Sequence, residues 1–159
     1  MHPILGLLLM LSFLFLSNYG IHSYYKRQRK LLFAEIGDRN FIHIKNVDTT
    51  IHNKSKVALS MQFLMSDVIL FDHTVLILLR SHVMNLNQSI LQFSKNLEAK
   101  KMSGVGAMWA IEKKAYILNK INISFKHNGI VTTTTEISLG FKNRTELNLA
   151  REFMNENFE

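Results

Sequence analysis

The side chains best suited to metal binding or acid–base catalysis in this sequence are its seven histidines, and their spacing supports neither role. None lies in H-x-x-x-H or H-E-x-x-H, the spacings that place two imidazoles on one helix face around a zinc ion. His43, between Ile42 and Ile44, is predicted to point outward from a strand as a surface residue. The pair Asp72-His73 separates two apolar runs, a position that favours a turn over a catalytic pair.

Other catalytic and cofactor motifs are incomplete. Gly104-Val105-Gly106 lacks the third glycine of a dinucleotide loop and the Gly-Lys-Ser/Thr of a phosphate loop, and no serine lies in G-x-S-x-G. The sequence has no cysteine, which excludes disulfides, thiolate metal sites and a cysteine nucleophile. We therefore predict no catalytic, cofactor-binding or metal-binding residues. A hydrolase or ligand-binding enzyme built around His73, His82 or Trp109 is the weaker alternative.

The basic residues of the second half suggest a polyanionic surface as partner. Residues 95–126 contain seven lysines and two glutamates within a chain of net charge +7. Only Trp109 and Tyr116 interleave with them, fewer aromatic rings than base stacking requires, so nucleic acid is not the predicted partner. A lysine near an anionic lipid leaflet contributes about 1 kcal/mol, and most of these lysines are expected only to be solvated. The predicted contacts with such a surface are Lys100, Lys101, Lys113 and Lys114.

The first 25 residues carry no charged side chain and are predicted to form a transmembrane signal-anchor helix, residues 1–25. As a helix, residues 3–21 would rise about 28 Å, close to the hydrocarbon thickness of a bilayer. Aromatic rings are favoured at the membrane–water interface. Tyr19, Tyr24 and Tyr25 are predicted to lie there.

A cleaved secretory signal is the alternative to a retained anchor. Signal peptides carry basic residues before the apolar region and small residues at the cleavage site. Only Met1 and His2 precede this apolar run, and residues 16–20 (Leu-Ser-Asn-Tyr-Gly) match A-x-A poorly. The retained anchor is therefore favoured, and an exported small β-domain with a cleaved signal peptide is kept as the second hypothesis.

Residues 26–35 are predicted to be a basic juxtamembrane segment that orients the chain. Positive residues flanking a span remain on the cytoplasmic side of the membrane. Here they all follow the span, which predicts a single-pass protein of the cell (inner or plasma) membrane with a cytoplasmic C-terminal domain. The orienting residues are Lys26, Arg27, Arg29 and Lys30.

Residues 36–159 are predicted to be one mainly β domain, because period-two alternation dominates them. A strand is expected at 39–46. In the next strand Met61, Phe63 and Met65 are expected to face the core. Two buried strands, Asp67–Phe71 and Thr74–Arg80, should pair through Asp72-His73.

The second half of the domain contains a long hairpin and a helix. Strands over residues 115–125 and 131–141 should pair through Asn128-Gly129. The stretch 82–109 fits either a helical stripe or a short strand at Ser89–Lys95, followed by an exposed loop through residues 100–106. A helix is predicted at 143–158 with Asn143 as its N-cap and Glu146 completing a capping box. Its core-facing stripe comprises Leu147, Ala150, Phe153, Met154 and Phe158.

These elements together resemble the pleckstrin-homology-like barrels of small bacterial membrane-anchored proteins. The resemblance rests on Lys56–Arg80 as early strands, Ala115–Phe141 as the last hairpin and Asn143–Phe158 as the capping helix. It implies an antiparallel β-barrel or strongly curved sheet capped by a C-terminal amphipathic helix. A cone-shaped α+β domain with a curved sheet is the rival fold.

The resemblance also implies a function for the domain. Phosphoinositide-binding members gather basic residues in the loop between the first two strands. The corresponding region here has Lys45, Lys54 and Lys56 without the Lys-x-Arg pair of such sites. The expected function is therefore a non-catalytic module that binds lipid headgroups, a peptide or a protein partner at the cytoplasmic membrane face. Its expected partners are the bilayer itself, an anionic lipid or a membrane protein.

Overall fold

The computed structural model describes residues 3–54, 59–82, 85–95, 100–127 and 133–158. A long N-terminal helix leads into a curled eight-stranded sheet, a half-barrel, and a second helix follows, so the prediction of a mainly β chain with a helix at each end is confirmed. The elements are α1 (Pro3–Ile36), β1 (Ile42–Lys54), β2 (Leu59–Phe71), β3 (Thr74–Ser81), β4 (Asn87–Ser94), β5 (Val105–Trp109), β6 (Lys113–Ile117), β7 (Lys120–His127), β8 (Thr133–Gly140) and α2 (Arg144–Asn157).

The sheet has the strand order β5-β4-β3-β2-β1-β8-β7-β6. All neighbouring strands are antiparallel except β4 and β5, which are parallel, so the prediction of a purely antiparallel sheet is wrong at this edge. The segment 82–109, for which the sequence pattern fits either a helix or a strand, contains β4 and β5. After β4 the chain returns beneath α1, where Met102 is buried, and β5 therefore starts from the same end as β4.

The return segment is packed against α1, so the prediction of an exposed loop through residues 100–106 is wrong for the part from Met102 to Val105. Val105 is buried, and Gly104 has a φ of +76°. A Cβ at Gly104 would lie 2.5 Å from the Cβ of Gln28 on α1. Only glycine combines this left-handed backbone with so close an approach.

Two tight turns set the strand boundaries. Asp72 and His73 form the predicted turn between β2 and β3, with a φ of +47° at Asp72. Leu118 and Asn119 form a similar turn between β6 and β7, so the single strand predicted over residues 115–125 is two strands. The β7–β8 hairpin is confirmed, whereas the predicted turn residues Asn128 and Gly129 lie outside the described residues.

The C-terminal helix has the predicted cap and stripe. The Asn143 side chain accepts a hydrogen bond from the Thr145 backbone N–H at 2.9 Å, which satisfies one of the free donors of the first turn. Leu147, Ala150 and Met154 are buried against the inner face of the half-barrel. This apolar contact holds α2 across one end of the sheet.

The outer face of the sheet has its own core, supplied by α1. Leu32 and Ile36 are fully buried against side chains of β2, β3 and β4. From residue 3 onward the helix therefore runs without a break through the predicted anchor (1–25) and the predicted juxtamembrane segment (26–35), and its last turns belong to the domain. Its apolar first part is exposed and long enough to span a membrane, a property that a signal sequence shares.

The inward orientation predicted for the start of β2 is wrong. Met61 is 49% and Phe63 is 67% exposed, whereas Leu64, Ser66 and Val68 face the inner core. The alternating apolar residues belong to the outer face, where α1 covers Ile69 and Phe71 further along the same strand. Beyond that cover the outer face of β2 is open.

Substitution of Leu32 tests the contact between α1 and the sheet. We expect Leu32→Ala to lower the free energy of unfolding by about 2–5 kcal/mol, because it opens a cavity in the outer core. The measurement is chemical denaturation of the full chain in detergent micelles. Leu31→Ala is the matched control, since Leu31 is 47% exposed and should change stability by less than about 0.5 kcal/mol. Equal effects of the two substitutions would contradict the docking of this helix face.

Candidate functional site

The two ends of the half-barrel differ. At the capped end the turns at Asp72–His73 and Leu118–Asn119 meet α2, through hydrogen bonds from His73 to Asn157 (2.5 Å) and from Arg151 to the Leu118 carbonyl (2.8 Å). At the opposite end, here called the open end, β1, β3 and β7 finish and β2, β4 and β8 begin. Among the described residues, none closes off the interior of the half-barrel at this end.

The open end contains a cavity of about 420 Å³ between the inner faces of the strands. Its apolar walls are aliphatic and aromatic side chains, and amide and hydroxyl groups surround them. None of the described residues that line it is charged. The apolar lining comprises Ile51, Leu79, Leu91, Trp109, Phe125 and Ile137, and the polar lining comprises Asn53, Gln62, Gln88, Ser89, Thr133 and Thr135.

Three aromatic rings pack together at this cavity, and two of them, Trp109 and Phe125, line it. Trp109 lies 6.0 Å from Phe93 and 5.0 Å from Phe125, between ring centroids, and Phe93 lies 5.1 Å from Phe125. These separations are typical of favourable aromatic contacts. The cluster connects β4 and β5 with β7 across the half-barrel. Trp109 is the only tryptophan of the chain, so its fluorescence reports on this cavity.

The lining determines what chemistry the cavity can support. Apolar walls with a few neutral polar groups suit noncovalent binding of an uncharged group, oriented by hydrogen bonds. The sequence indicates this cavity only weakly, through polar residues at core-facing positions close to strand ends: Asn53, Thr133 and Thr135. Trp109 is the only lining residue that is also a candidate site residue predicted from the sequence.

Helix α1 leaves the domain at the open end. The His22 Nδ1 atom accepts a hydrogen bond from the Asn87 backbone N–H at 2.9 Å, at the start of β4. Closer to the N-terminus, Ile21 and Asn18 still line a shallow recess with the β3–β4 connection. The apolar part of α1 therefore continues outward from the end of the half-barrel where the cavity opens.

The predicted interface residues of α1 lie on two different faces. Tyr19 and Tyr24 are exposed, and Tyr25 is partly covered by the domain. Arg29 is buried, and its Nη2 donates a hydrogen bond to the Leu79 carbonyl at 2.6 Å. The other members of the basic cluster are exposed on the face of α1 that points away from the sheet: Lys26, Arg27 and Lys30.

Arg29 joins a polar group of residues between α1 and the sheet. Asp67 and Arg80 form a well-shielded ion pair at 2.7 Å close to it. Burial lowers the pKa of Arg29 to about 10, an effect that Asp67 partly opposes, so the guanidinium is charged at neutral pH. Arg29 is therefore bonded to the sheet, and its predicted role at the membrane interface stays a prediction.

His43 lies beneath the same helix. It does point outward from β1, as predicted, but α1 covers this face, and the imidazole lies 5.6 Å from the Phe33 ring. Burial lowers the pKa of His43 below its ordinary value. The prediction of a surface histidine is corrected, since the outer face of β1 is a helix–sheet contact here.

Three of the four lysines predicted to contact an anionic surface have partners within the domain. Lys100 pairs with Glu35 on α1 at 2.8 Å, and Lys114 donates to the Met154 carbonyl on α2 at 2.9 Å. Lys101 donates to the Gly106 carbonyl, and Lys113 is exposed on β6. Glu35 lies 14 residues beyond Ile21, about 21 Å along the helix axis, so Lys100 is far from the end of the apolar stretch 3–21.

A second recess lies near the capped end and contains the Asp72-His73 turn. Its carboxylates are already engaged, Asp72 by Arg39 at 3.3 Å and Glu35 by Lys100. Within the described ranges there is no group of three His, Cys, Asp or Glu side chains that could hold a metal ion. The described part of the recess therefore presents no free acid–base pair around His73.

Comparison with known proteins gave no match: no protein-family model, no curated protein and no solved structure is similar to this chain.

The Glu35 contacts predict a specific acid sensitivity. Hydrogen bonds from Lys100 and from the Ser103 N–H lower the pKa of Glu35 from 4.5 to about 2. The stability that they contribute is fully present above the ordinary pKa, and it is lost as pH falls toward 2. We expect the full chain in micelles to lose more stability between pH 5.5 and pH 2.5 than its Glu35→Gln variant, measured by denaturant midpoints.

The control for this titration is Glu152→Gln, which changes an exposed carboxylate on α2. It should keep the acid sensitivity of the unmodified chain. An unchanged pH profile in Glu35→Gln would show that the Glu35 contacts contribute nothing to stability.

Proposed function

We propose that this chain is a single-pass protein of the cell membrane, and that its cytoplasmic, non-catalytic pleckstrin-homology-like domain binds a ligand at the membrane face. The observation that carries the proposal is the path of α1. One continuous helix contains the apolar segment and then docks on the sheet, and it leaves the domain at the open end. With the apolar segment in a bilayer, the cavity mouth is directed toward that bilayer.

The charge on α1 supports a cytoplasmic domain. Lys26, Arg27 and Lys30 are exposed, and they lie within about 14 Å of helix rise from Ile21. Positive residues this close to a span are retained on the cytoplasmic side, and residues 1–25 contain no Lys or Arg.

Three features support the pleckstrin-homology-like identity. The early strands β2 and β3 form a hairpin, β7 and β8 form the long final hairpin, and α2 closes one end of the curled sheet. They correspond to the sequence segments on which the resemblance rests. The parallel strand β5 is an addition to that pattern.

The cavity supports an uncharged, lipid-derived ligand over a multiply phosphorylated headgroup. Its described lining has no Lys or Arg to balance phosphate charge, and Trp109 and Phe125 offer apolar surface. A phosphoinositide would leave its phosphates without cationic partners there. An acyl chain or a neutral headgroup matches both the walls and the direction of the mouth.

Fractionation tests the membrane anchor. We expect the full-length chain to stay in the membrane fraction after alkaline carbonate washing, with its original N-terminus. Its domain should resist protease in sealed right-side-out vesicles and be digested in inverted ones. A soluble mature protein that starts near residue 21 would replace this proposal with the exported, signal-cleaved β-domain.

Fluorescence of Trp109 tests the ligand. In vesicles that contain lipids brominated on the acyl chains, we expect quenching of Trp109, because a chain bound in the cavity would contact this lining residue. Ser89→Phe, which fills the cavity, should reduce the quenching severalfold. Thr145→Phe, at an exposed position near the capped end, is the control and should leave it unchanged. Equal quenching in both variants would argue against lipid entry.

A further inference from the structure

We propose a binding site for the phosphate group of a soluble phosphorylated molecule, in a recess between the outer face of the sheet and the start of α2. The recess has a volume of about 430 Å³, and all the residues that line it belong to the described ranges. It shares no lining residue with the cavity at the open end, so this site goes beyond the proposed function. We call it the basic recess, after its three cationic side chains: Lys120, Lys142 and Arg144.

The strand register brings the charged residues of β1 and β7 together. Gly140 of β8 pairs with Asp48 of β1 on one side and with Lys120 of β7 on the other. All three belong to the outer face, because the neighbouring residues Leu139 and Ile121 are buried in the inner core. A Cβ at Gly140 would lie 3.6 Å from the Cβ of Asp48. The glycine therefore leaves open the space between the two charged side chains.

Two hydroxyl groups lie next to this space. Thr50 and Ser138 pair in register two residues further along the same face, and both line the basic recess. In the part of the chain that the structure describes, neither hydroxyl is hydrogen-bonded to another residue. A hydroxyl group can donate a hydrogen bond to an oxygen of a bound anion. The floor of the recess thus adds neutral donors to its cations.

The cations of the basic recess are poorly neutralised by the protein itself. Within the described ranges, no carboxylate pairs with Lys120 or Arg144. On the same face of β7, by contrast, Lys126 is paired with Glu112 at 2.8 Å. The two unpaired cations therefore meet in the recess, where an anion can contact both.

One carboxylate lines the recess and has to be weighed against these cations. Asp48 is the only acid among the described lining residues, and Lys142 lies 3.7 Å from it. Both side chains are more than half exposed, and such surface pairs contribute little stability. Three cations and one carboxylate leave the recess with a charge of +2. An anionic ligand can therefore draw Lys142 away from Asp48 at low cost.

This charge and these donors match a phosphate group better than a carboxylate. A phosphate monoester carries a charge of about −1.5 to −2 at neutral pH and offers three acceptor oxygens. The guanidinium of Arg144 can bind two of those oxygens at once, and Lys120 can bind as a point charge. Phe141 and Leu147 also line the recess, and they give the organic part of a phosphorylated molecule an apolar surface to contact.

The position of the recess selects a soluble ligand over a lipid headgroup. Asn119, in the turn at the capped end, is one of its lining residues. Gly140 lies seven residues along β8 from Thr133 at the open end, which corresponds to about 23 Å. In the proposed arrangement the open end faces the bilayer, so the recess lies on the far side of the domain. Only this choice of source rests on the proposed function.

Calorimetry with glycerol 3-phosphate, a soluble phosphate monoester, tests the site in the full chain held in phosphatidylcholine nanodiscs. We expect saturable binding that Lys120→Gln and Arg144→Gln each weaken at least fivefold, because each removes a cation from the recess. Asp48→Asn should tighten binding, because it removes the only acid. Lys113→Gln is the matched control and should leave binding unchanged. Lys113 is exposed on β6, about 13 Å along the strand from Ile117, the partner of Lys120.

Two results of the calorimetry would overturn the site. One is the absence of saturable binding at millimolar glycerol 3-phosphate in a folded chain. The other is an equal loss of affinity in Lys113→Gln and Lys120→Gln, which would show that binding follows net charge alone. Unchanged emission of Trp109 shows that each variant is folded, and the substituted side chains are exposed.

A second measurement distinguishes the soluble ligand from a lipid headgroup. Phosphatidic acid vesicles carry the same phosphate group on a membrane, and we expect Lys120→Gln to leave co-sedimentation of the nanodiscs with them unchanged. Binding to these vesicles alone, with loss in Lys120→Gln, would overturn the soluble ligand. The calorimetry can also be performed on the chain in micelles. Loss of the chain from the membrane fraction would therefore remove the proposed function without deciding this site.

Discussion

The uninterrupted helix α1 is the constraint on which the rest of the structure depends. Its first part exposes apolar side chains to the surroundings, and its last turns bury Leu32 and Ile36 in the outer core of the sheet. The only proline of the chain lies at its start, so no proline interrupts the helix between the two parts. In the proposed arrangement, whatever holds the first part in lipid also holds the sheet at a fixed distance from the bilayer, with its open end toward it.

Arg29 explains why the helix docks at one position along the sheet. Its guanidinium is removed from water, which is unfavourable unless hydrogen bonds and nearby negative charge compensate. The Leu79 carbonyl and Asp67 supply both. Moving the helix along its axis by one turn, about 5.4 Å, would leave a buried cation without its acceptor. Apolar contacts alone would tolerate such a shift better, so the charged residue gives the contact its specificity.

Much of the fold could be predicted from local pattern, and the errors share one physical cause. The turn at Asp72-His73, the β7–β8 hairpin and the stripe of α2 each depend on neighbouring residues. The outward orientation of Phe63 could not be predicted in this way, because the alternation of apolar and polar residues is the same whichever face of the strand is buried. The break between two strands at Leu118 could not be predicted either, because the alternation continues through a two-residue turn. The site was harder still to predict, since its lining comes from seven strands, and only Trp109 among the lining residues is a candidate that the sequence indicates.

The residues of the basic cluster are alike in charge, but the geometry of the helix places them on different faces. Successive residues of a helix are about 100° apart, which places Arg29 close to Leu32 and Ile36 in projection and Lys26 and Lys30 on another side. One residue of the cluster therefore belongs to the sheet, while the others remain available to lipid headgroups. The half-barrel follows the same division: α2 covers the capped end, which points away from the apolar helix. The open end, in the proposed arrangement, faces the bilayer.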